Sequence, residues 1–279
     1  MVDTAKPAPG DALPLLVDRG ALQVMLGTPG LVVVDVGRAE TYAQAHVPGA
    51  VHLDYGQIVA TQPPAMGLLP SAEQLGAVLS RLGLQQTDHV VAYDDEGGGR
   101  AARFLWTLDV VGHSRSSLLD GGIQAWLEEG GPVTRTPASR IATSYPTTLH
   151  GEPVADKRYV LEHLGDATIA IVDTRTHAEY AGATKRAERI GHIPGAINFD
   201  WVNAMTDPPR NLRLRSKSEL SATLVELGIT PDKEVIAYCQ THHRSAHTYW
   251  VLKYLGYPRI RGYPGSWSEW GNDAGTPIE

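Results

Sequence analysis

A single cysteine among 279 residues excludes an internal disulfide and any cysteine cluster for zinc or iron–sulfur, which leaves the thiol free for chemistry. The chain also lacks any apolar run near the roughly 18 residues of a membrane span, and Met1-Val2-Asp3-Thr4-Ala5-Lys6-Pro7-Ala8-Pro9-Gly10 has no basic segment leading into an apolar core. These absences lead us to expect a cytoplasmic protein with no membrane partner. There is no basic excess either, and a net charge of −7 argues against nucleic acid as the main partner. A small anion is still admissible as a substrate, because a local cradle of N–H donors can outweigh a modest global charge.

Hydrophobic residues at 42% and charged residues at 20% describe a globular protein, and the length suits two domains, each able to bury its own core. The chain repeats itself. Leu31-Val32-Val33-Val34-Asp35 is answered by Ile169-Ala170-Ile171-Val172-Asp173, and His46-Val47-Pro48-Gly49-Ala50 by His192-Ile193-Pro194-Gly195-Ala196. Val90-Val91-Ala92-Tyr93 is answered by Val235-Ile236-Ala237-Tyr238, and Gly121-Gly122-Ile123-Gln124-Ala125-Trp126 by the stretch from Gly265-Ser266-Trp267 to Trp270. Matches kept in the same order mean duplication. The second half carries an additional loop, Ala181 to Arg189, with Lys185, Arg186 and Arg189.

In the first half, apolar runs at 31–36, 89–93 and 115–119 alternate with helix-like stretches at 39–45, 71–82, 100–111 and 122–129. The runs are apolar throughout, as for parallel strands covered on both faces. The expected fold class is therefore α/β, with two similar domains, each a mainly parallel sheet flanked by helices. We place the domains at 11–130 and 154–279. The stretch 131–153 between them, rich in Thr, Pro, Ser and Gly and without periodicity, is read as a linker.

Cys239 follows the run Glu234-Val235-Ile236-Ala237-Tyr238 and precedes a helix-like stretch from Ser245 to Leu255. In this strand–loop–helix setting the amides of the loop and first helical turn favour an anion and pull the thiol toward thiolate. The equivalent place in the first half holds Asp94-Asp95-Glu96-Gly97-Gly98-Gly99-Arg100. An aspartate cannot act as a thiolate, and three acidic side chains would repel an anionic donor. The first half reads as catalytically silent.

The loop Cys239-Gln240-Thr241-His242-His243-Arg244 resembles that of the bacterial tandem-domain rhodaneses, the thiosulfate sulfurtransferases. Supporting motifs are Tyr-Asp-Asp-Glu-Gly-Gly-Gly at 93–99, Gly-His-Ile-Pro-Gly-Ala-Ile-Asn at 191–198, Gly-Ile-Thr-Pro-Asp-Lys-Glu at 228–234 and Gly-Ser-Trp-Ser-Glu-Trp-Gly at 265–271. The resemblance spans nearly the whole chain. It implies an inactive N-terminal rhodanese-like domain, a catalytic loop in the C-terminal one, and a persulfide on Cys239.

Such chemistry requires a lowered cysteine pKa and donors for a terminal sulfur that carries charge. Amides from Gln240 to Ser245 are the candidate donors. Arg244 offers a forked cation to a sulfonate, or else closes the loop on carbonyls. His242 and His243, mostly neutral at pH 7 at an ordinary pKa near 6.5, either stabilise the anion or shape the loop. No metal or other cofactor is expected, since adjacent histidines rarely point one way and no third ligand is evident. His46 and His192 precede Pro-Gly in both repeats, which suits a structural turn. Trp201 lies either on the pocket rim or in the core.

The sequence departs from many eukaryotic relatives in one respect: Glu179 stands four positions after Arg175, where they carry a second arginine. Arg186 and Arg189 are the candidate replacements. The loop Cys-Gly-Ser-Gly of mercaptopyruvate sulfurtransferases is absent, which favours thiosulfate as donor and cyanide or a thiol as acceptor. Cysteine phosphatases use Cys-x5-Arg, whereas Arg244 makes Cys-x4-Arg here. The remaining alternative is a sulfur carrier that hands its persulfide to a protein or biosynthetic partner.

Overall fold

The apolar runs form the strands of two parallel sheets in the computed structural model, which describes residues 13–279. The Met1–Gly10 segment and the domain boundary at 11 lie outside the described residues. The first half contains β1 (Leu16–Val17), β2 (Leu31–Asp35), β3 (Val51–His52), β4 (Ala60–Gln62), β5 (Ala65–Leu68), β6 (His89–Tyr93) and β7 (Ser116–Leu119). Five of these make a sheet in the order β1-β7-β6-β2-β3, all pairs parallel, while β4 and β5 form a separate antiparallel hairpin. The second half repeats the plan with β8 (Ile169–Asp173), β9 (Ile197–Asn198), β10 (Met205–Asp207), β11 (Asn211–Leu214), β12 (Glu234–Tyr238) and β13 (Ile260–Gly262). Its sheet runs β13-β12-β8-β9, again parallel, and β10–β11 is the matching hairpin.

Helices cover the sheets: α1 (Arg19–Met25), α2 (Ala39–Gln44), α3 (Ala72–Arg81), α4 (Gly99–Val110) and α5 (Gly122–Glu128) in the first half. The second half has α6 (Lys157–Glu162), α7 (His177–Tyr180), α8 (Lys217–Glu226), α9 (Arg244–Leu255) and α10 (Ser266–Trp270). Corresponding helices start alike. Ser71 and Gln74 close a capping box on α3, and Ser216 and Glu219 close one on α8, each pair satisfying amides that the first turn leaves open. Both sheets are apolar on two faces, as parallel strands between helices require; Val90, Val91 and Ala92 are wholly buried, as are Val235, Ile236 and Ala237.

Segment 131–153 forms no helix and no regular strand, yet it is not a loose tether. Thr134 exchanges backbone hydrogen bonds with His46, Thr143 N–H donates to the Ser80 carbonyl at 3.0 Å, and His150 N–H donates to the Val110 carbonyl at 2.7 Å. Tyr145 is buried in the first half's core. The segment satisfies its backbone on the first half along most of its length and on Gly262 and Arg261 of the second at its end, which is why a composition typical of linkers accompanies a fixed path.

The two halves meet along α4 and α9. Trp106, Val110 and Tyr249 form an apolar cluster there, and Lys253 donates to both oxygens of Asp109 at 2.6 and 2.7 Å. Phe104 and Leu105, on the same helix as Trp106, are wholly buried, each worth about 1.5–3 kcal/mol relative to exposure. Each half's hairpin also covers the other half's loop. Gly67 of β5 lies so close to the Thr241 carbonyl that no side chain fits, and Met205 of β10 packs on Gly97. The loops after β6 and β12 are thereby brought face to face.

Candidate active site

Cys239 stands at the C-terminal end of β12, 1% exposed, at the floor of a loop that turns directly into α9. Two hydroxyls organise that loop. Ser266 Oγ accepts the amides of Cys239 at 3.3 Å and His242 at 3.1 Å, while donating to the Tyr263 carbonyl at 2.7 Å. Ser245 Oγ bonds His242 Nδ1 at 2.8 Å. His242 has a φ of 52° and Ser266 a φ of 51°, a left-handed conformation that L-residues hold only when their surroundings over-determine it. The carbonyls of Cys239 and Gln240 accept amides of α10, from Trp267 at 2.9 Å and Ser268 at 3.0 Å, while the amides of Thr241 and Ser245 face the sulfur.

Burial pushes the Cys239 thiol up, but the Arg244 charge and hydrogen bonds from the Ser245 hydroxyl, Ser245 amide and Thr241 amide outweigh it and bring the thiol down to about 7. Alkylation by iodoacetamide should therefore rise with pH through a midpoint near 7. A midpoint at the ordinary thiol value of about 8.5 would show that the cradle does not act on the sulfur.

Arg244 is bound at both ends of its fork, from Nη1 to Glu179 Oε2 at 2.6 Å and from Nη2 to Oε1 at 3.0 Å. Burial pushes the Glu179 carboxyl up, but Arg244 and the Thr176 hydroxyl and amide bring it to about 2. Glu179 thus stays ionised and aims the guanidinium, which also donates toward Cys239. The acid that replaces the eukaryotic arginine holds the loop's own arginine in place. Arg189, a candidate replacement, is committed elsewhere: it donates to the Thr276 and Trp270 carbonyls, each at 2.8 Å, and to the Asp273 carbonyl. Arg186 is exposed and reaches Glu179 only at 3.9 Å. Arg175 is buried against Asp173 and under Trp267, away from solvent.

The other predicted residues divide into two groups. The hydroxyl and amide of Ser245, the amide of Thr241 and the side chain of Arg244 surround the sulfur, and His243 lies close enough to interact with it by charge. Trp201, at the start of a 3₁₀ turn over 201–204, is half-buried with its ring 6.0 Å from His243 and 5.3 Å from His247, which places it beside the loop and not in a core cluster. Gln240, in contrast, turns its side chain outward, donating to the Arg186 carbonyl at 3.0 Å. The His242 ring is buried against Trp106 of the first half, 4.3 Å between centroids, so it shapes the loop and does not line the pocket.

Sequence reasoning missed Arg103. This α4 side chain is wholly buried and, among the described residues, forms no ion pair; it donates to the carbonyls of His242 at 3.3 Å, Leu68 at 3.1 Å and Ile58 at 3.4 Å and lies 4.7 Å over Trp106. Burial lowers it to about 10, so it stays cationic at neutral pH. Its signal was legible as a lone charge within Ala101-Ala102-Arg103-Phe104-Leu105-Trp106. Ser266 had no such signal, because its role depends on a left-handed turn that composition does not announce.

The acidic loop of the first half is neutralised from within. Asp94 occupies the position of Cys239, and its carboxylate accepts amides from Glu96 at 3.0 Å, Gly98 at 2.8 Å, Arg100 at 2.9 Å and Ala101 at 3.0 Å. The same amide nest that surrounds a sulfur in one half is filled by a built-in anion in the other. Asp94→Ala should strand these donors and lower the unfolding free energy by roughly 2–4 kcal/mol in a urea titration. A loss below about 1 kcal/mol would mean that water replaces the carboxylate without penalty.

A family model for the rhodanese-like domain matches the chain twice, over residues 18–129 and 156–273, and the chain belongs to that family. Thiosulfate sulfurtransferase of Pseudomonas aeruginosa is 48% identical over 267 residues, covering 96% of this chain and 97% of that one. Sulfur carrier protein TtuD of Thermus thermophilus is 35% identical over 278 residues, covering 95% and 96%. Among solved structures, SseA of Escherichia coli, described as a 3-mercaptopyruvate sulfotransferase, matches with a TM-score of 0.82 at 25% identity over 91% of this chain and 99% of that one. EanB in complex with ergothioneine matches at a TM-score of 0.84 and 22% identity, over 95% and 70%, a likeness of fold alone.

Proposed function

We propose that the protein is a thiosulfate sulfurtransferase whose second domain, 154–279, carries the chemistry on Cys239, with 11–130 as a domain lacking a nucleophile and 131–153 as the connection. The Cys239 thiolate attacks the outer sulfur of thiosulfate. The sulfur–sulfur bond of the donor breaks, sulfite leaves with the electron pair, and Cys–S–S⁻ is left on the enzyme. Sulfite leaves readily without a general acid. Cyanide or a thiol then attacks the terminal sulfur and the thiolate returns. The thiolate supplies the new bonding pair and sulfite keeps the old one, so the sulfur moves as a neutral atom and the step balances without an external oxidant or reductant.

The observation that carries this reading is a buried thiol brought down to about 7 at the floor of an amide-lined loop and faced by Arg244. Amides of Thr241 and Ser245 stabilise the persulfide, and the N–H donors of Arg244 that Glu179 does not take bind the sulfonate. Thiosulfate as the donor is supported by the 48% identical relative of that name. Cyanide and small thiols suffice as acceptors, and the thiol chemistry suits the reducing cytoplasm. The test is steady-state thiocyanate formation at varied thiosulfate and cyanide. Parallel double-reciprocal lines are expected, as for two half-reactions through a covalent intermediate; intersecting lines would mean direct transfer in a ternary complex.

A second reading, delivery of the persulfide to a protein, is supported by the 35% identical sulfur carrier. It predicts that a protein acceptor discharges loaded enzyme much faster than cyanide does. Discharge no faster than by cyanide would exclude it.

A further inference from the structure

Three histidines lie within one turn and a half of chain at the sulfur site, and they differ in what they meet. Burial drives His242 well below the usual imidazole range, and its ring meets no acid. His247 is buried with neither ring nitrogen partnered, which lowers it to about 4. His243 alone meets a carboxylate, and that carboxylate comes from the other half: Glu96 Oε1 accepts from His243 Nε2. Both side chains are about a quarter exposed, 26% for His243 and 28% for Glu96, so the pair sits at the mouth of the site.

The first half's loop is shaped for this contact. Gly97 and Gly98 have φ of 97° and 98°, a region open to glycine. At Gly99 a Cβ would lie 2.7 Å from His243 Nε2, so any side chain there would push the ring away. The edges of Tyr55, at 5.7 Å, and Trp201, at 6.0 Å, bound the imidazole on other sides. We propose that Glu96 is a positioning residue of the sulfur-transfer site, holding the His243 imidazole as a cation beside Cys239, so that the half without a cysteine completes the anion pocket of the half that has one.

This inference rests on the sulfurtransferase reading above. Its electrostatics involve every charged or titratable group around the ring. From the first half these are Glu96, Asp94, Tyr55, Arg100, whose Nε lies 3.4 Å from the second oxygen of Glu96, and Arg103, which holds the neighbouring His242 carbonyl. From the second half they are Cys239, Arg244, His242 and His247. Burial pushes His243 down, but Glu96 by hydrogen bond and charge, with Cys239 and Asp94 adding to it, pushes it above the usual imidazole range. The cationic form is therefore favoured up to a pH above the ordinary value of about 6.5 and lost beyond it. A dianionic donor meets two cations, Arg244 and His243, in place of one.

The test is Glu96→Gln, which keeps the side chain's shape and removes its charge. NMR titration of ¹³C-labelled histidine, with His243 assigned through His243→Gln, should show the parent ring titrating above the ordinary imidazole value and the Glu96→Gln ring titrating below the parent. In stopped-flow measurements at a pH between the two NMR midpoints, the thiosulfate half-reaction of Glu96→Gln should slow by roughly 10-fold, the size of one lost charge-assisted contact. The two proteins should converge at a pH below both NMR midpoints, where His243 is charged in both, and Glu96→Asp should recover part of the rate. An unchanged titration, or a loss equal at every pH, would overturn the proposal and leave the contact a packing feature. If the parent itself takes no sulfur from thiosulfate, the functional reading fails instead, and the NMR titration alone judges the pair.

Discussion

Cys239→Ser should fold and melt like the parent and form no thiocyanate from thiosulfate and cyanide. The side chain is 1% exposed and the exchange replaces sulfur with a smaller atom in a loop already rich in hydroxyl and amide donors, so the fold has little to lose. The chemistry loses everything. A serine hydroxyl remains protonated where the thiol is brought to about 7, and an alkoxide on sulfur would form no persulfide. No second thiol exists to take over, and the matching place in the first half holds Asp94 with its carboxylate fully engaged. Measurable turnover by the serine variant would remove the central claim.

The next largest effect is expected at Arg244. Arg244→Ala removes charge-assisted hydrogen bonds to the sulfonate worth roughly 1.5–3 kcal/mol, or on the order of 10- to 150-fold in kcat/KM for the thiosulfate half-reaction. The ion pair with Glu179 adds a further consequence. Glu179 is largely buried, 5% exposed, and without Arg244 its carboxylate is left beside the loop with Thr176 and a distant Arg186 as partners. The thiol should then titrate above its parent midpoint. Discharge of preloaded persulfide by cyanide needs no sulfonate contact, so its rate constant should change far less. Arg244→Lys should recover part of the thiosulfate rate, since an ammonium keeps the charge and lacks the planar fork. Adding Glu179→Gln to Arg244→Ala should bring the thiol midpoint back down without restoring sulfonate binding. Equal losses in both half-reactions would mean that the loop has collapsed and that Arg244 serves only to close it.

The fold was legible because its strands announce themselves. Runs such as Val32-Val33-Val34 and Val235-Ile236-Ala237 are buried on both faces, and parallel sheets between helices demand such runs. Duplication was equally plain, since four segments of the first half recur in the same order in the second. The two hairpins were not legible. Ala60–Gln62 and Met205–Asp207 are short, largely exposed, and defined by what they cover on the other half. The path of 131–153 was hidden for a related reason: its backbone bonds go to Ser80, His46 and Val110, which no local pattern records.

At the site, local sequence placed the thiol between a strand end and a helix start, because the chemistry there is carried by consecutive residues. It could not place what arrives from afar. Glu179, 65 positions from Arg244, reads alone as a departure from an arginine. Glu96, 147 positions from His243, reads as a charge that repels the donor. Glu179 is bound to a guanidinium and Glu96 to an imidazole in the fold, and their signs make sense only once those partners are known. Arg103 likewise looks like a helix charge until α4 and α9 bury it against the His242 carbonyl.

Intact mass measured in three states tests persulfide chemistry on Cys239 most directly: the protein treated with cyanide, then with excess thiosulfate, then with cyanide again. The account predicts that thiosulfate adds the mass of one sulfur atom, that peptide mapping puts it on Cys239, and that the second cyanide treatment removes it with release of thiocyanate. A mass unchanged by thiosulfate, or a sulfur that maps elsewhere, would contradict it.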